Sequence, residues 1–215
     1  MTLIKIEKID HSLPHPVYMA KQVKENEADI AALLDIDMYQ LMIDAGSAVF
    51  NQARNSWPRA QNYLVICGKG NNAGDGFIFA CKALENGLAC EVCCIDVDTD
   101  YKGDALSAKN QYLKQGGILV PFESLNFNKY DLLVDAIFGT GLACPLSGKY
   151  DHAIEKINLS HSPVISIDIP SGLCAETGQV MGNCVKANET VTFIALKIGL
   201  LVGQAANYCG KLSFA

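Results

Sequence analysis

The sequence predicts an α/β fold in which helices cover both faces of a mainly parallel sheet. Short apolar runs alternate along the chain with longer amphipathic segments, a pattern typical of βαβ units joined by right-handed crossovers. Some runs, such as residues 132–134 and 164–165, are apolar without a break, as expected of strands covered on both faces. With 215 residues, half of them hydrophobic, the chain is long enough to form a substantial core as one domain.

The individual elements follow from the apolar pattern in chain order. Residues 1–20 form an extended arm, because Pro14 and Pro16 discourage helix. Apolar residues at steps of three and four between residues 21 and 57 predict two amphipathic helices. A strand over 63–67 leads into a Gly-rich loop over 68–76 and then into a helix over 77–85. The remaining predictions are helices at 105–115 and 150–157, and strands at 90–95, 118–120, 132–136, 164–167, 191–195 and 211–215.

Composition and charge exclude several classes of protein. The composition is globular, which excludes collagen, coiled coils and disordered chains. A net charge of -6 argues against a surface that neutralises nucleic acid. No apolar stretch reaches the ~18 residues of a membrane span, and the first ten residues lack the apolar core of a signal peptide. The nine cysteines lie mostly inside apolar runs, so we expect them to pack in the core of a soluble, cytoplasmic protein.

Segments that combine Asp or Asn with glycine follow three of the predicted strands. The loop over 70–76 combines Asn and Asp with glycines, so its backbone N–H groups can form an anion-binding nest in front of a helix. Asp135 and Asp168 each end an apolar strand and precede a Gly-bearing turn, although such a carboxylate can also simply cap the turn. Because the carboxyl ends of parallel strands meet at one edge, we expect the three loops to converge on a ligand.

The charges of these loops predict a bound cation. If a diphosphate lies among the carboxylates, like charges repel by ~4 kcal/mol per pair at about 4 Å and an effective dielectric near ~20. A hard cation held by oxygen ligands would remove this repulsion, and the loops offer such ligands at Asn72, Asp135 and Ser171. Positive charge at the rim is the alternative, although an exposed lysine is usually only solvated, and the candidates are Lys69, Lys149 and Lys197.

Four ordered blocks, residues 68–76, 135–142, 167–173 and 190–197, resemble the signature blocks of the YjeF N-terminal domain, the NAD(P)HX epimerase family. The likeness runs from about residue 13 to the last residue. It implies a Rossmann-like, three-layer α/β/α domain that interconverts the R and S forms of hydrated NADH or NADPH in metabolite repair. The chain looks most like the bacterial bifunctional members, so we expect residues 1–215 to precede an ADP- or ATP-dependent dehydratase domain. Relatives often dimerise, which leaves a homodimer or higher homo-oligomer as an open expectation.

The resemblance also implies roles for individual residues. In similar proteins, potassium is bound by residues that match Asn72, Asp135 and Ser171. The substrate is contacted by residues that match Asn71, Asn72, Ala73, Gly74, Asp75, Gly139, Thr140, Gly141, Leu142, Ala143, Cys144, Pro145 and Asp168. Asp168 is the candidate acid/base for the substrate hydroxyl, with a plain binding role as the alternative. Lys197 is a candidate general acid or a support for the loops.

Some residues depart from the usual family pattern, and two other functions stay open. Ala73, Ile198 and Ile43 stand where many relatives have Gly, Pro and Glu, but none of these changes removes a proposed ligand. An NAD-dependent dehydrogenase is the first alternative, because the spacing of Gly68, Gly70 and Ala73 fits a dinucleotide fingerprint. Its ribose contact would be Asp96 or Asp98. A non-catalytic nucleotide-binding or dimerisation module of the same fold is the second.

Overall fold

Nine short strands and five α-helices alternate along residues 16–33, 35–142 and 144–215, the part of the chain that a computed structural model describes. In chain order they are β1 (Val17–Tyr18), α1 (Ala20–Leu33), α2 (Met38–Ser56), β2 (Asn62–Cys67), α3 (Asn71–Glu85), β3 (Ala89–Cys94), α4 (Gly103–Lys114), β4 (Ile118–Leu119), β5 (Leu132–Ala136), α5 (Lys149–Leu159), β6 (Val164–Ile167), β7 (Glu189–Thr192), β8 (Leu196–Lys197) and β9 (Lys211–Phe214). Single turns of 3₁₀ helix lie at Phe122–Ser124, Phe127–Lys129, Ile198–Leu200 and Ala205–Asn207.

Seven of the strands form one parallel sheet in the order β4-β3-β2-β5-β6-β7-β9. The chain builds outward from β2 to β3 and β4, and then returns to place β5 on the other side of β2. In the register of the central strands, Val65 lies between Val92 and Val134. This reversal of strand order opens a crevice at the carboxyl ends of β2 and β5, where ligands bind in folds of this kind.

Alternate side chains of the central strand face opposite layers of helix. Tyr63, Val65 and Cys67 pack into the core under α2, α3 and α4. Leu64 and Ile66 pack into the core under α5 and the 3₁₀ turns. Since each fully buried Val, Leu or Ile contributes about 1.5–3 kcal/mol, strands apolar on both faces bind the three layers together. The predicted three-layer α/β architecture is therefore confirmed.

The prediction for the Gly-rich segment is wrong, because α3 begins at Asn71 and not at residue 77. Gly70 is the N-cap, and the following glycines lie inside the helix. They permit close packing: a Cβ at Gly74 would lie 2.5 Å from Met42 Sδ, and one at Gly76 would lie 2.6 Å from Ala136 Cβ. Glycine at these positions therefore brings α3 close to α2 and to the sheet, and the predicted loop is the first turn and a half of a helix.

The bounds of the other predicted strands and helices differ from those in the structure by a few residues. The strand predicted at 191–195 is β7, which ends at Thr192 because Ile194 adopts a left-handed backbone with φ 69°. Most of the predicted arm, residues 1–15, lies outside the described residues. Its last part is extended as expected, because Val17–Tyr18 pairs in parallel with Leu196–Lys197.

The cysteines belong to the core, as predicted. All nine are free thiols, and seven of them are buried. Cys90 and Cys93 lie within β3, so their C-x-x-C spacing does not form a redox turn. Burial raises the pKa of Cys93 to about 12, which keeps this thiol protonated and unreactive. Within the described ranges, no helix combines the length and the apolar character that a bilayer crossing requires.

Candidate functional site

A cavity of about 460 Å³ opens at the carboxyl ends of β2, β5, β6 and β7. The beginning of α3, residues 137–141, Asp168 and residues 193–197 form its floor and sides, while α1 and α2 border the rest. Its volume lies within the ~300–1,000 Å³ usual for ligand sites. The cavity coincides with the reversal of strand order, so the predicted convergence of the three segments is confirmed.

The first turns of α3 bring Asn71, which is exposed, and two buried polar side chains to the cavity. Asn72 and Asp75 are spaced three residues apart, which places them on one face of the helix. They are 8% and 9% exposed. Among the described residues, no group accepts a hydrogen bond from Asn72 Nδ2. Burial raises the pKa of Asp75 well above its ordinary value, and the charges of Asp168 and Glu27 raise it further, while Lys197 and a backbone N–H lower it.

Ala73 and Gly74, which the sequence assigns to the same substrate-binding segment, do not line the cavity, and their contact with a substrate stays a prediction. Ala73 is fully buried in the core under α2 and α3, and Gly74 packs against Met42. The reason is helical geometry: residues 73 and 74 point away from the face that carries Asn72 and Asp75.

Asp135 is a fully buried carboxylate at the end of β5, surrounded by hydrogen-bond donors. Ser171 donates twice, from its backbone N to Oδ2 at 2.8 Å and from Oγ to Oδ1 at 2.5 Å. Ser166 Oγ donates to Oδ2 at 2.8 Å, and the backbone N of Ile137 to Oδ1 at 3.3 Å. Burial raises the pKa of Asp135, and these hydrogen bonds oppose that shift. Within the described part of the chain, no lysine or arginine forms an ion pair with it.

Gly139 is the point at which the three segments meet. The preceding residue, Phe138, donates its backbone N–H to Ser171 Oγ at 2.9 Å, which ties the segment after β5 to the segment after β6. A Cβ added at Gly139 would lie 3.3 Å from Asn72 Oδ1 and 3.4 Å from Asp168 Oδ2. The absence of a side chain at Gly139 thus leaves the space between these two polar groups open.

Asp168 is held in place by a buried lysine. Lys197 is 2% exposed, and its Nζ donates to Asp168 Oδ1, to Phe193 O at 2.8 Å and to Thr192 Oγ1 at 3.1 Å. Thr192 Oγ1 in turn donates to Asp168 Oδ1 at 3.1 Å. All three hydrogens of the ammonium group are therefore used. Lys197 does not belong to an exposed rim, and its positive charge lies beside Asp168.

The backbone of Asp168 is itself unusual. Its φ is 67°, in the left-handed region that non-glycine residues rarely adopt. The backbone N–H of Asp168 donates to Val191 O at 2.8 Å, which anchors this conformation to β7. Strain of this kind costs ~1–3 kcal/mol and concentrates at functional sites. With Oδ1 occupied by Lys197 and Thr192, Oδ2 lies toward Gly139 and the cavity.

The other two candidate lysines meet at a different carboxylate. Lys69 and Lys149 pair with the two oxygens of Asp96, one lysine on each. Lys69 lines the cavity, but Lys149 and Asp96 do not. The predicted role of Asp96 as a ribose contact therefore lacks support, because both its oxygens are occupied away from the cavity. Asp98 does not line the cavity either.

The segment after β5 is only partly in the site. Gly139, Thr140 and Gly141 line the cavity. Leu142, Cys144 and Pro145 do not line it, and Ala143 lies outside the described residues. Contact of these last four residues with a substrate stays a prediction.

Glu27 on α1 is a cavity residue that the sequence analysis missed. It is half-buried and lines the cavity together with Asp75 and Asp168. Burial raises the pKa of Glu27, the charge of Asp168 raises it further, and Lys197 lowers it. The local sequence carries no signal for this position, because α1 is mostly polar and Glu27 resembles any solvated residue on it.

The chemistry of the donor atoms favours a hard cation over a transition metal. In the described ranges, no three His, Cys, Asp or Glu side chains lie close enough to hold a metal together. Asn72, Asp135 and Ser171 offer amide, carboxylate and hydroxyl oxygens, which hard cations prefer. The buried carboxylate of Asp135 has no lysine or arginine partner among the described residues, so a bound cation would offset its charge. The oxygen atoms of these three residues are therefore of the kind that binds a hard cation.

Comparison with known proteins gives consistent matches. Residues 38–199 match the family described as YjeF-related protein N-terminus. The chain is 37% identical over 214 residues to the bifunctional NAD(P)H-hydrate repair enzyme Nnr of Escherichia coli strain K12, covering 100% of this chain and 42% of that protein. It is 41% identical over 196 residues to the enzyme of the same name from Coxiella burnetii, covering 91% and 40%. The chain thus spans about two-fifths of these relatives.

A shorter relative and a solved structure complete the comparison. The NAD(P)H-hydrate epimerase of Limosilactobacillus fermentum is 32% identical over 202 residues, covering 91% of this chain and 94% of that protein. The crystal structure of the yeast protein ynu0 superposes with a TM-score of 0.77 at 19% identity, covering 93% of this chain and 87% of that one. At this identity the yeast structure supports the fold alone.

Proposed function

The chain belongs to the YjeF-related N-terminal family, and on that premise we propose that it is an NAD(P)H-hydrate epimerase. It would interconvert the R and S forms of NADHX and NADPHX in metabolite repair, in the reducing cytoplasm that its free cysteines favour. The Limosilactobacillus fermentum relative named for this reaction is covered over 94% of its length. Because only 42% of the Escherichia coli repair enzyme is covered, the proposal is limited to epimerisation.

The reaction requires proton transfer but no hydride acceptor. The carbon that inverts carries a hydroxyl and the ring nitrogen, so its configuration is lost when the ring opens to an aldehyde or when water leaves to give an iminium. Either route moves a proton at the hydroxyl, and a carboxylate within hydrogen-bond reach can accept it. Asp168 is the proposed acceptor. The observation that supports this role is that Lys197 and Thr192 occupy Oδ1 while Oδ2 lies toward the cavity.

The same cavity has features that suit the rest of a dinucleotide. The N-terminus of α3, at Gly70 and Asn71, offers free backbone N–H groups and the positive end of a helix dipole to a diphosphate. Gly139, Thr140 and Gly141 leave room for close approach along the opposite segment. We propose that these residues position the substrate while Asp168 handles the proton.

Potassium is part of the proposal. Asn72, Asp135 and Ser171 would hold the ion through oxygen atoms. When bound, the ion would supply positive charge between the buried carboxylates and the phosphates of the substrate, which otherwise repel one another.

The test starts from one pure epimer. Chemically prepared R-NADPHX is incubated with the purified chain in potassium buffer, and both epimers are separated chromatographically over time. We expect conversion toward the equilibrium mixture, with little conversion by Asp168→Asn. If the folded chain binds NADPHX without converting it, the chain is a binding module. Reduction or oxidation of a nicotinamide cofactor in a hydride-transfer assay would instead favour a dehydrogenase.

A further inference from the structure

We propose that Asp75 is a second catalytic residue, which donates a proton to the substrate while Asp168 accepts one. The inference rests on the proposed epimerase function and assigns a proton donor to it. An inversion that both gives and takes a proton can use two groups in opposite protonation states, one as donor and one as acceptor. The two carboxyl groups come from different elements, α3 and the segment after β6, and border the same cavity.

The surroundings of Asp75 do not explain it structurally. It is 9% exposed, and among the described residues its carboxyl accepts a hydrogen bond from its own backbone N–H but forms no ion pair or hydrogen bond with another side chain. A buried carboxyl group with so little compensation lowers stability, so a purely structural position would normally hold an apolar or amide side chain. Its remaining exposed surface faces the cavity. The carboxyl of Asp75 therefore borders the cavity and holds no other side chain in place.

The charged groups around the cavity give the two carboxyl groups different surroundings. Lys197 uses all three of its hydrogens within the Asp168 cluster, so the cation stabilises Asp168 as a carboxylate. Asp75 faces Asp168 and Glu27, both of which oppose a further negative charge. Three more charged side chains border the cavity, namely Lys24, Lys69 and Asp104. Burial and the two opposing charges favour the neutral form of Asp75, whereas the ammonium group of Lys197 donates directly to Asp168.

The chemistry balances for the route through an iminium. Asp75 gives its proton to the substrate hydroxyl, the C–O bond breaks, and water leaves with the bonding electrons as the ring-nitrogen lone pair forms a C=N bond. Water then adds to the opposite face, the electron pair returns to nitrogen, and Asp168 takes the proton that is released. Each turnover moves one proton from Asp75 to Asp168, and exchange with solvent through the open cavity restores the starting state.

The ring-opening route uses the same pair. Asp168 takes the hydroxyl proton, the O–H electrons form the aldehyde C=O bond, and the C–N bond breaks. Asp75 then protonates the ring nitrogen that receives the C–N electrons. Reclosure on the other face reverses each of these transfers. Both routes therefore need one donor and one acceptor, and the inference does not depend on which is followed.

The decisive experiment compares Asp75→Asn with wild type in the epimer-conversion assay. We expect kcat to fall about 10²- to 10⁴-fold, the usual contribution of a positioned proton donor. The dissociation constant for NADPHX should change less than about threefold, because the amide preserves the shape and polarity of the side chain. Asp151→Asn is the matched control, since it removes a half-buried carboxylate that does not line the cavity and should leave kcat unchanged.

A second readout separates catalysis from a structural role. A donor must be protonated, so the wild-type rate should fall as pH rises through the raised pKa of Asp75, and this alkaline limb should be missing in Asp75→Asn. The variant should melt at the wild-type temperature or higher, because it removes an unpartnered buried acid. Turnover within threefold of wild type, equal losses in kcat and binding, or a wild-type profile without an alkaline limb would each overturn the inference. Absence of wild-type conversion would refute the epimerase function instead.

Discussion

Lys197 and Asp168 form a buried ion pair whose partners are 2% and 7% exposed. The pair joins β8, which contains Lys197, to the residue that follows β6. A movement of either side chain would therefore disturb both segments. Because Lys197 also binds Phe193 O and Thr192 Oγ1, it fixes the position of Asp168 as well as its charge. The geometry of the proposed acid/base thus depends on residues that never need to contact a substrate.

Asp168→Asn should reduce turnover far more than binding. The amide keeps the shape of the side chain and can still accept from Lys197, but it cannot take a proton. We expect kcat to fall by about 10²- to 10⁴-fold with a small change in the dissociation constant of NADPHX. Steady-state kinetics and equilibrium binding on the same preparation measure both effects. Equal losses in the two quantities would make Asp168 a binding residue only.

Lys197→Met should destabilise the fold, because it leaves Asp168 buried without its cation. Removing one partner of a buried pair costs about 3–5 kcal/mol. Adding Asp168→Asn to this variant should recover part of the loss, since the remaining charge is removed. Urea unfolding of the two single variants and the double variant gives the coupling energy. Additive losses would show that the two side chains contribute independently.

Gly139→Ala should reduce epimerisation without unfolding the protein. The new Cβ would lie 3.3 Å from Asn72 Oδ1 and 3.4 Å from Asp168 Oδ2, so it would enter the space between them. Ser124→Ala is the control, because Ser124 is exposed and does not line the cavity. We expect an activity loss of about tenfold or more only in Gly139→Ala, on the general ground that small displacements at reacting groups are costly. Similar activities in the two variants would contradict this reading of the site.

Much of the sheet and part of the site could be predicted from the sequence. Strands such as Leu132–Ala136 are apolar on both faces, and the residue at the end of each parallel strand must lie near the crevice. The positions of Asp135 and Asp168 follow from that rule alone. Their hydrogen-bond partners do not, because Ser171 is 36 residues from Asp135 in the chain.

The start of α3, the burial of Lys197 beside Asp168 and the position of Glu27 were set by tertiary contacts. Gly74 and Gly76 have low helix propensity, so the local sequence favours a loop, whereas close packing against Met42 and Ala136 selects the helix. Lys197 follows an apolar run, but its partner lies 29 residues away in the chain. Glu27 lies on a polar helix, and only the docking of α1 at the cavity distinguishes it from a solvated residue.

Glu189→Gln should lower stability at neutral pH and weaken its dependence on acid. Burial acts to raise the pKa of Glu189, but hydrogen bonds from Ser56, Ser213, Gln52 and Lys211 outweigh it and hold the pKa below its ordinary value. The carboxylate therefore contributes stability above pH ~4.3, which is lost as pH falls through the lower pKa of the folded state. We expect a loss of about 1.5–3 kcal/mol at pH 7, the value of hydrogen bonds to a charged group.

Chemical denaturation between pH 3 and pH 7 measures this effect. Lys211→Met is the control, because Lys211 is half exposed and its pairing should contribute only ~0–1 kcal/mol. A Glu189→Gln variant whose stability falls with acid as steeply as wild type would show that other carboxyl groups control acid unfolding.

Asp135→Ala should weaken nucleotide binding and its dependence on potassium, although it removes a negative charge. If a cation links this carboxylate to the substrate phosphates, its loss removes attraction, whereas without a cation the same change would relieve repulsion. Titration of NADPHX binding in potassium chloride, against choline chloride at equal ionic strength, distinguishes the two cases. Ser171→Ala should act in the same direction as Asp135→Ala. Ser166→Ala is the matched control, because Ser166 also donates to Asp135 but is not a proposed ligand, so it should lose stability and keep the potassium dependence. Tighter binding by Asp135→Ala would refute the cation.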